Sequence, residues 1–253
     1  MQSNFLDLPE RQHKPRKKGL TLVLDSGVST QRFMDAVQSH APLIDFVKFG
    51  WGTALVTDDL EKKIAFLKKI GIDYFFGGTL FEKALQQKKL DEFHAFIKRH
   101  GCTYVEISNG TLDLSNEEKC RHVRDFSRDF TVFSEVGYKD SKKSENMYPA
   151  KWVECIAQDF EAGAKWVIAE SRESGQSGIC RPNGELRYGL IEEIIDSCKR
   201  LDAIVFEAPS KTLQAFFVKR LGSNVNLGNI SFDDIVGLET LRLGLRADTF
   251  FLS

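Results

Sequence analysis

The feature that most constrains this chain is a regular alternation, from Gly19 onward, of short β-branched or aromatic runs with segments of helical periodicity. The runs are Thr21–Leu24, Asp45–Phe49, Ile72–Phe76, Tyr104–Ile107, Val132–Glu135, Trp166–Ala169, Ile204–Glu207 and Val225–Leu227. Eight strands that each lead into a helix suit parallel pairing, because parallel neighbours need a crossover connection. The expectation is one (β/α)8 barrel, a TIM barrel of the α/β class, over residues 19–253. A doubly wound open sheet is the alternative, and closure rests on the short eighth run. The 253 residues match the ~250 such a barrel takes, and 42% hydrophobic content supplies its core.

Local signals agree. Leu60, Ile64 and Leu67 repeat at helical spacing, with Thr57 as the expected N-cap and Gly71 beyond the end. Ser115 and Glu118 have the spacing of a capping box. Ile235, Leu238 and Leu245 mark the last helix, with Ser231 as its expected cap. Residues 1–18 are polar and basic and read as a flexible, solvated arm, with an oligomer contact or a cover over an anionic site as alternatives.

Bulk properties exclude several classes. Lys plus Arg number 35 against 36 Asp plus Glu, so no bulk charge recruits nucleic acid or anionic membrane. No apolar run approaches the roughly 20 residues of a membrane span. The N-terminus lacks the apolar stretch of a secretory signal, so a cytoplasmic location is expected. The 5 cysteines form no Cys-x-x-Cys pair and read as reduced thiols. The chain is expected to act on small molecules and to form a homo-oligomer.

Barrel active sites sit at the C-terminal strand ends, and here those ends carry charge: Asp25, Lys48, Glu106, Glu135, Glu170 and Glu207. Alternate strand residues point to opposite faces. Counting back by two gives Val23, Phe46, Tyr104, Phe133, Ile168 and Val205, whereas the other set is mostly apolar and suits the helix-covered outside. The charges are therefore expected to face inward. An inward charge is costly unless paired or bound to a metal or ligand. Several carboxylates around one lysine call for a cation, and an all-oxygen set favours Mg²⁺ over zinc or copper. The bland alternative is a rim of carboxylates bonded to loop amides and nearby cations.

All five histidines fall in the arm or on helical patterns, so proton transfer is left to Lys, Glu or Tyr. After the sixth strand, the segment 171–178 contains Arg172, with Arg181 further on. The glycines and length of this loop suit a mobile cover. Ser210 opens the helix after the seventh strand, and Asn229 precedes the last helix. Barrels often bind phosphate near these last two loops, so Arg172, Arg181, Ser210 and Asn229 are candidate substrate-binding residues.

Read together, the segments resemble the phosphosulfolactate synthase family. The resemblance is carried in order by residues 19–27, Asp45–Thr53, Gly77–Glu82, Val105–Gly110, Ser134–Gly137, Glu170–Gly175, Phe206–Pro209 and Leu238–Arg246. It implies a (β/α)8 fold and Mg²⁺-dependent addition of sulfite to phosphoenolpyruvate. The product would be (2R)-phospho-3-sulfolactate, made in a carbon–sulfur lyase class enzyme working in the synthetic direction. In methanogens this feeds coenzyme M biosynthesis, and in some spore formers it leads to sulfolactate.

On that reading Glu106, Glu135, Glu170 or Asp25 would hold Mg²⁺, and Lys48 and Arg172 would bind the anionic groups. Lys139 is the candidate acid. Family members often place lysine immediately after Glu-Val-Gly, whereas this chain has Tyr138 there and Lys139 next, so Tyr138 stays an alternative donor. Two other functions remain open: a Schiff-base aldolase-type barrel using Lys48 or Lys139, and a non-catalytic barrel like the heat-stress relatives known from plants.

Overall fold

A computed structural model of the protein describes residues 5–252; residues 1–4 of the expected arm and Ser253 lie outside it. The order of elements is β1 (Thr21–Asp25), α1 (Thr30–His40), β2 (Phe46–Phe49), α2 (Leu60–Ile70), β3 (Asp73–Phe76), α3 (Gly78–Gln86), α4 (Leu90–Arg99), β4 (Tyr104–Ile107) and α5 (Asn116–Phe126). It continues through β5 (Thr131–Val136), α6 (Ser141–Asn146), α7 (Pro149–Glu161), β6 (Trp166–Ala169), α8 (Tyr188–Ser197), β7 (Ile204–Glu207), α9 (Lys211–Leu221), β8 (Asn226–Ile230) and α10 (Ile235–Arg242). The strands form one parallel sheet in the order β3-β2-β1-β8-β7-β6-β5-β4. Its curvature brings β3 beside β4, making a single (β/α)8 barrel.

The eighth strand pairs with both β7 and β1, with one register shift between Thr21 and Val23. The discontinuity lies instead between β3 and β4, where no ladder forms among the described residues. That seam is crossed by side chains. Gly78 N, at the start of α3, donates to Glu106 Oε1 at 2.7 Å. Glu82 accepts from Ser108 Oγ at 2.6 Å and from the amides of Thr111 and Leu112. A β-carbon at Gly78 would come 2.8 Å from Glu106 Oε1, so only glycine permits this approach.

The barrel interior is an apolar floor that includes Leu20, Leu22, Phe46, Phe75, Phe133, Trp166, Ile168 and Val205. Phe133 stacks on Phe75 and on Trp166, each with ring centroids 4.8 Å apart, and Phe46 meets Phe133 edge-on at 5.3 Å. The larger core lies between strands and helices. Five strands follow the expected parity, with Phe46, Tyr104, Phe133, Ile168 and Val205 inside or packed against the floor. In β1 the parity is reversed: Leu20 and Leu22 point inward, while Val23 packs beneath the helices.

Several caps differ from expectation. The α5 capping box at Ser115 and Glu118 forms, as does the left-handed Gly71 C-cap of α2. Asp59, not Thr57, occupies the N-cap of α2, and Thr57 Oγ1 donates to Thr53 O at 2.8 Å. Ser231 closes a turn with Asp234, which becomes the N-cap of α10, and Leu245 lies beyond that helix, half-exposed.

The expected solvated arm is tied down from Arg11 onward. Arg11 is buried and donates to Gly19 O, Ser223 O, Asn224 Oδ1 and Glu239. Arg16 pairs with Asp45 at 3.2 Å, and Lys14 Nζ donates to Ala41 O and Ile44 O. These side chains take carbonyls at the N-terminal end of the barrel that lack ladder partners. No described helix is long and apolar enough to cross a membrane.

Candidate active site

Above the aromatic floor, β2, β4, β5 and β7 each present one inward charge near their C-terminal ends: Lys48, Glu106, Glu135 and Glu207. Glu170 follows directly after β6. Lys48 Nζ lies 2.8 Å from Glu106 Oε2, 3.4 Å from Glu207 Oε1 and 3.8 Å from Glu135 Oε2. A second lysine joins from the loop after β5. Lys139 Nζ sits 2.7 Å from Glu135 Oε1 and 2.9 Å from Glu170 Oε2. Main-chain amides complete the pairing: Ser171 N donates to Glu207 Oε2 at 3.0 Å, and Arg172 N donates to Glu170 Oε1. Asn229 Oδ1, buried along this cavity, has no hydrogen-bond partner among the described residues, while Glu106 Oε2 has the Lys48 ammonium at 2.8 Å.

The charges shift one another strongly. Burial pushes Glu106 up to about 7 against the opposing pull of Lys48, and Glu135 adds to the rise. Burial also acts to raise Glu135, but Lys139 and then Lys48 outweigh it and bring the carboxyl down to about 2. Glu170 is held well above the ordinary carboxylate range by burial and by the adjacent Glu135 charge. Burial disfavours both ammonium groups, yet their carboxylate neighbours prevail and raise Lys48 and Lys139. The ring therefore holds two firmly protonated lysines, one firmly ionised carboxylate in Glu135, and two carboxyl groups with a strong affinity for a proton or another cation.

Asp25 does not belong to this ring. It faces outward, accepting from Lys63 Nζ at 2.7 Å and from the amides of Gly27 and Val28. Because β1 has the opposite parity, Asp25 is directed toward α2 and shapes the loop after β1. Tyr138 also points elsewhere, lining a wider cleft of about 460 Å³ between α5 and α7. Ser210 is exposed and caps α9 by accepting from Leu213 N. Arg181 is exposed. Arg172 lies on the rim, half-exposed, with Nη1 3.5 Å from Lys139 O.

Three groups given no role from sequence line the cavity: Glu207, Trp51 and the Gly77-Gly78-Thr79 turn at the start of α3. For Glu207 the strand-end parity was the available signal. For Gly77-Gly78 it was the paired glycines directly after a strand, which mark close backbone approach. Trp51 and Asn229 are both in the left-handed region, at φ 51° and 54°, as is Arg172 at 57°. Such non-glycine outliers gather at functional sites more often than elsewhere.

Fold and site together define a (β/α)8 barrel protein with the charged, buried mouth of an enzyme. A model of the (2R)-phospho-3-sulfolactate synthase family matches residues 9–248, and the chain belongs to that family. Phosphosulfolactate synthase of Bacillus subtilis (strain 168) is 52% identical over 247 residues, which is 98% of both chains. Phosphosulfolactate synthase of Methanothermobacter thermautotrophicus is 39% identical over 245 residues, 95% of both chains. Among solved structures, 3-hexulose-6-phosphate synthase superposes with a TM-score of 0.58 over 88% of this chain and 99% of its own, at 14% identity. That likeness concerns the fold.

Proposed function

We propose that the protein adds sulfite to phosphoenolpyruvate, with Mg²⁺, to give (2R)-phospho-3-sulfolactate. The observation that carries this reading is the joint placement of Lys48 and Lys139 in one buried carboxylate ring, in a member of this family. Sulfite sulfur would bond to the terminal methylene carbon while the carbon–carbon π pair moves onto the carboxylate, giving an enediolate. A proton then goes to the adjacent carbon, and the face it reaches sets the configuration.

The ring supplies the groups for both steps. Lys48, fixed by three carboxylates, is a buried positive charge suited to the substrate carboxylate as it becomes an enediolate. Lys139, held between Glu135 and Glu170, keeps its proton until a strongly basic carbon is presented. Arg172, on the rim beside Lys139 O, suits the phosphate or sulfite oxygens through its planar fork. The floor beneath the ring is apolar and largely aromatic, an environment that disfavours water around the reacting carbon.

Mg²⁺ fits the remaining donors in a limited way. Asn229 Oδ1 is a buried oxygen without a hydrogen-bond partner among the described residues, and Glu106, whose Oε2 faces only Lys48 at 2.8 Å, keeps a raised carboxyl that would gain from a further cation. Glu135 and Glu170 are committed to Lys139. Among the described residues no three acidic, histidine or cysteine side chains are grouped as a ligand set. This suits an ion that takes one or two protein oxygens and completes its shell with substrate and water. When bound there, Mg²⁺ would stabilise negative charge on the substrate carboxylate.

The test mixes the protein with phosphoenolpyruvate, sulfite and Mg²⁺ and follows the phosphorus NMR signal for phosphosulfolactate. Product is expected, and EDTA should stop its formation. No product at any Mg²⁺ concentration defeats the reading.

A further inference from the structure

Behind β5, on the helix side of the wall, lies a second charge cluster, outside the carboxylate ring and bordering the cleft between α5 and α7. Lys119 of α5 and Asp159 of α7 form an ion pair at 2.7 Å, and both side chains are 0% exposed. Asp159 Oδ2 also accepts from Ser134 Oγ at 2.6 Å, and its Oδ1 accepts from Cys120 Sγ. Lys119 Nζ donates in addition to the main-chain carbonyl of Glu135 at 2.8 Å. The β4–β5 ladder ends with Ile107 opposite Ser134, so Lys119 grips β5 one residue past that last pair. Two consecutive residues, Ser134 and Glu135, are thus held from outside by one buried pair.

Stability alone does not account for it. Desolvating two charges costs about as much as their attraction returns, and an apolar pair of similar volume is often as stable or more so. What an apolar pair cannot do is hold a carbonyl and a hydroxyl in place. The residue held is the one whose carboxylate meets both ring lysines, at 2.7 Å for Lys139 and 3.8 Å for Lys48.

We propose that Lys119 and Asp159 are positioning residues for the reaction, fixing the end of β5 so that the Glu135 carboxylate holds Lys139 over the substrate. The inference rests on the functional reading above for its kinetic consequence, but not for its structural one.

The experiment compares the parent with the double variant Lys119→Met/Asp159→Leu. The melting temperature is expected to stay within a few degrees of the parent, while kcat falls by about 10- to 100-fold, the scale of a misplacement near 1 Å. KM for phosphoenolpyruvate is expected to change less than about threefold, since Lys48 keeps Glu106 and Glu207. A double variant with parental kcat overturns the proposal. If the double variant does not fold, Ser134→Ala, which leaves the ion pair intact, takes its place. It is expected to lower kcat by roughly threefold or more at nearly unchanged melting temperature, and parental kcat overturns the proposal. A crystal structure of whichever variant folds separates this failure from that of the functional reading. If Glu135 Oε1 still lies within hydrogen-bond distance of Lys139 Nζ, the positioning role is overturned, whether or not the parent turns over substrate.

Discussion

Lys139 and Glu170 meet across two successive strand ends, with Nζ of the lysine 2.9 Å from Oε2 of the carboxyl, while Tyr138, one residue earlier, faces the cleft between α5 and α7. The chain bends at Gly137, φ 127°, a conformation few other residues adopt. That single turn decides which of the two side chains reaches the ring.

Lys139→Ala is accordingly expected to lower kcat by about 10²- to 10⁴-fold, the usual range for losing a proton donor. Tyr138→Phe should stay within about threefold of the parent. Steady-state kinetics on the two variants checks this, and equal activity in both would remove the assignment.

Glu106 gives the protein a pH signature. Its carboxyl is at about 7 in the folded state against an ordinary 4.5, so the folded protein binds this proton more tightly than the unfolded chain. The stabilising contribution is fully present below pH 4.5 and is lost as pH rises through 7, amounting to roughly 3 kcal/mol. Glu170, also raised, acts in the same direction, whereas Glu135, lowered to about 2, loses its contribution only as pH falls through 2. Urea denaturation between pH 4.5 and 7 without divalent cations should show stability falling with pH. Glu106→Gln should flatten that fall; an unchanged slope would contradict it.

Asp25→Ala should damage stability rather than metal use. It strands Lys63, 0% exposed, without its partner, and a buried charge so orphaned costs about 3–5 kcal/mol. Denaturant midpoints measure that loss. The Mg²⁺ concentration for half-maximal activity is expected to be unchanged, and a shift in it at parental stability would return Asp25 to the site.

Neither ring lysine is disposed to form a Schiff base, which requires a neutral amine. Both are ion-paired and raised by their carboxylate neighbours. Borohydride treatment with pyruvate near neutral pH should therefore leave the intact mass of the protein unchanged; a reduced adduct on Lys48 or Lys139 would revive the aldolase-type reading.

Strand positions were legible because each run is short, apolar and bounded by helical periodicity, and five strands could be oriented by counting back from their charges. β1 could not. Leu22 and Val23 are both apolar, so nothing in the strand itself tells inside from outside. The usable signal lay elsewhere, in lysines on apolar helix stripes: Lys63 between Leu60 and Leu67, and Lys119 in line with Val123 and Phe126, all buried. A lysine in such a stripe needs a buried partner. The anchoring of Arg11 was not legible, since its partners include the main-chain carbonyl of Ser223, 212 residues away. Lys139 lies beyond the last strand residue, where alternation no longer applies.

The seam between β3 and β4 gives the ring a mechanical consequence. Where a ladder would run, Glu106 Oε1 bonds Gly78 N, and the other oxygen of the same carboxyl contacts Lys48. One side chain is therefore both the latch of the barrel wall and a wall of its mouth. A ligand that draws Glu106 away from Gly78 would release one of the bonds across this seam and leave those of Glu82 in place, so occupancy can be read in the hydrogen exchange of a single amide.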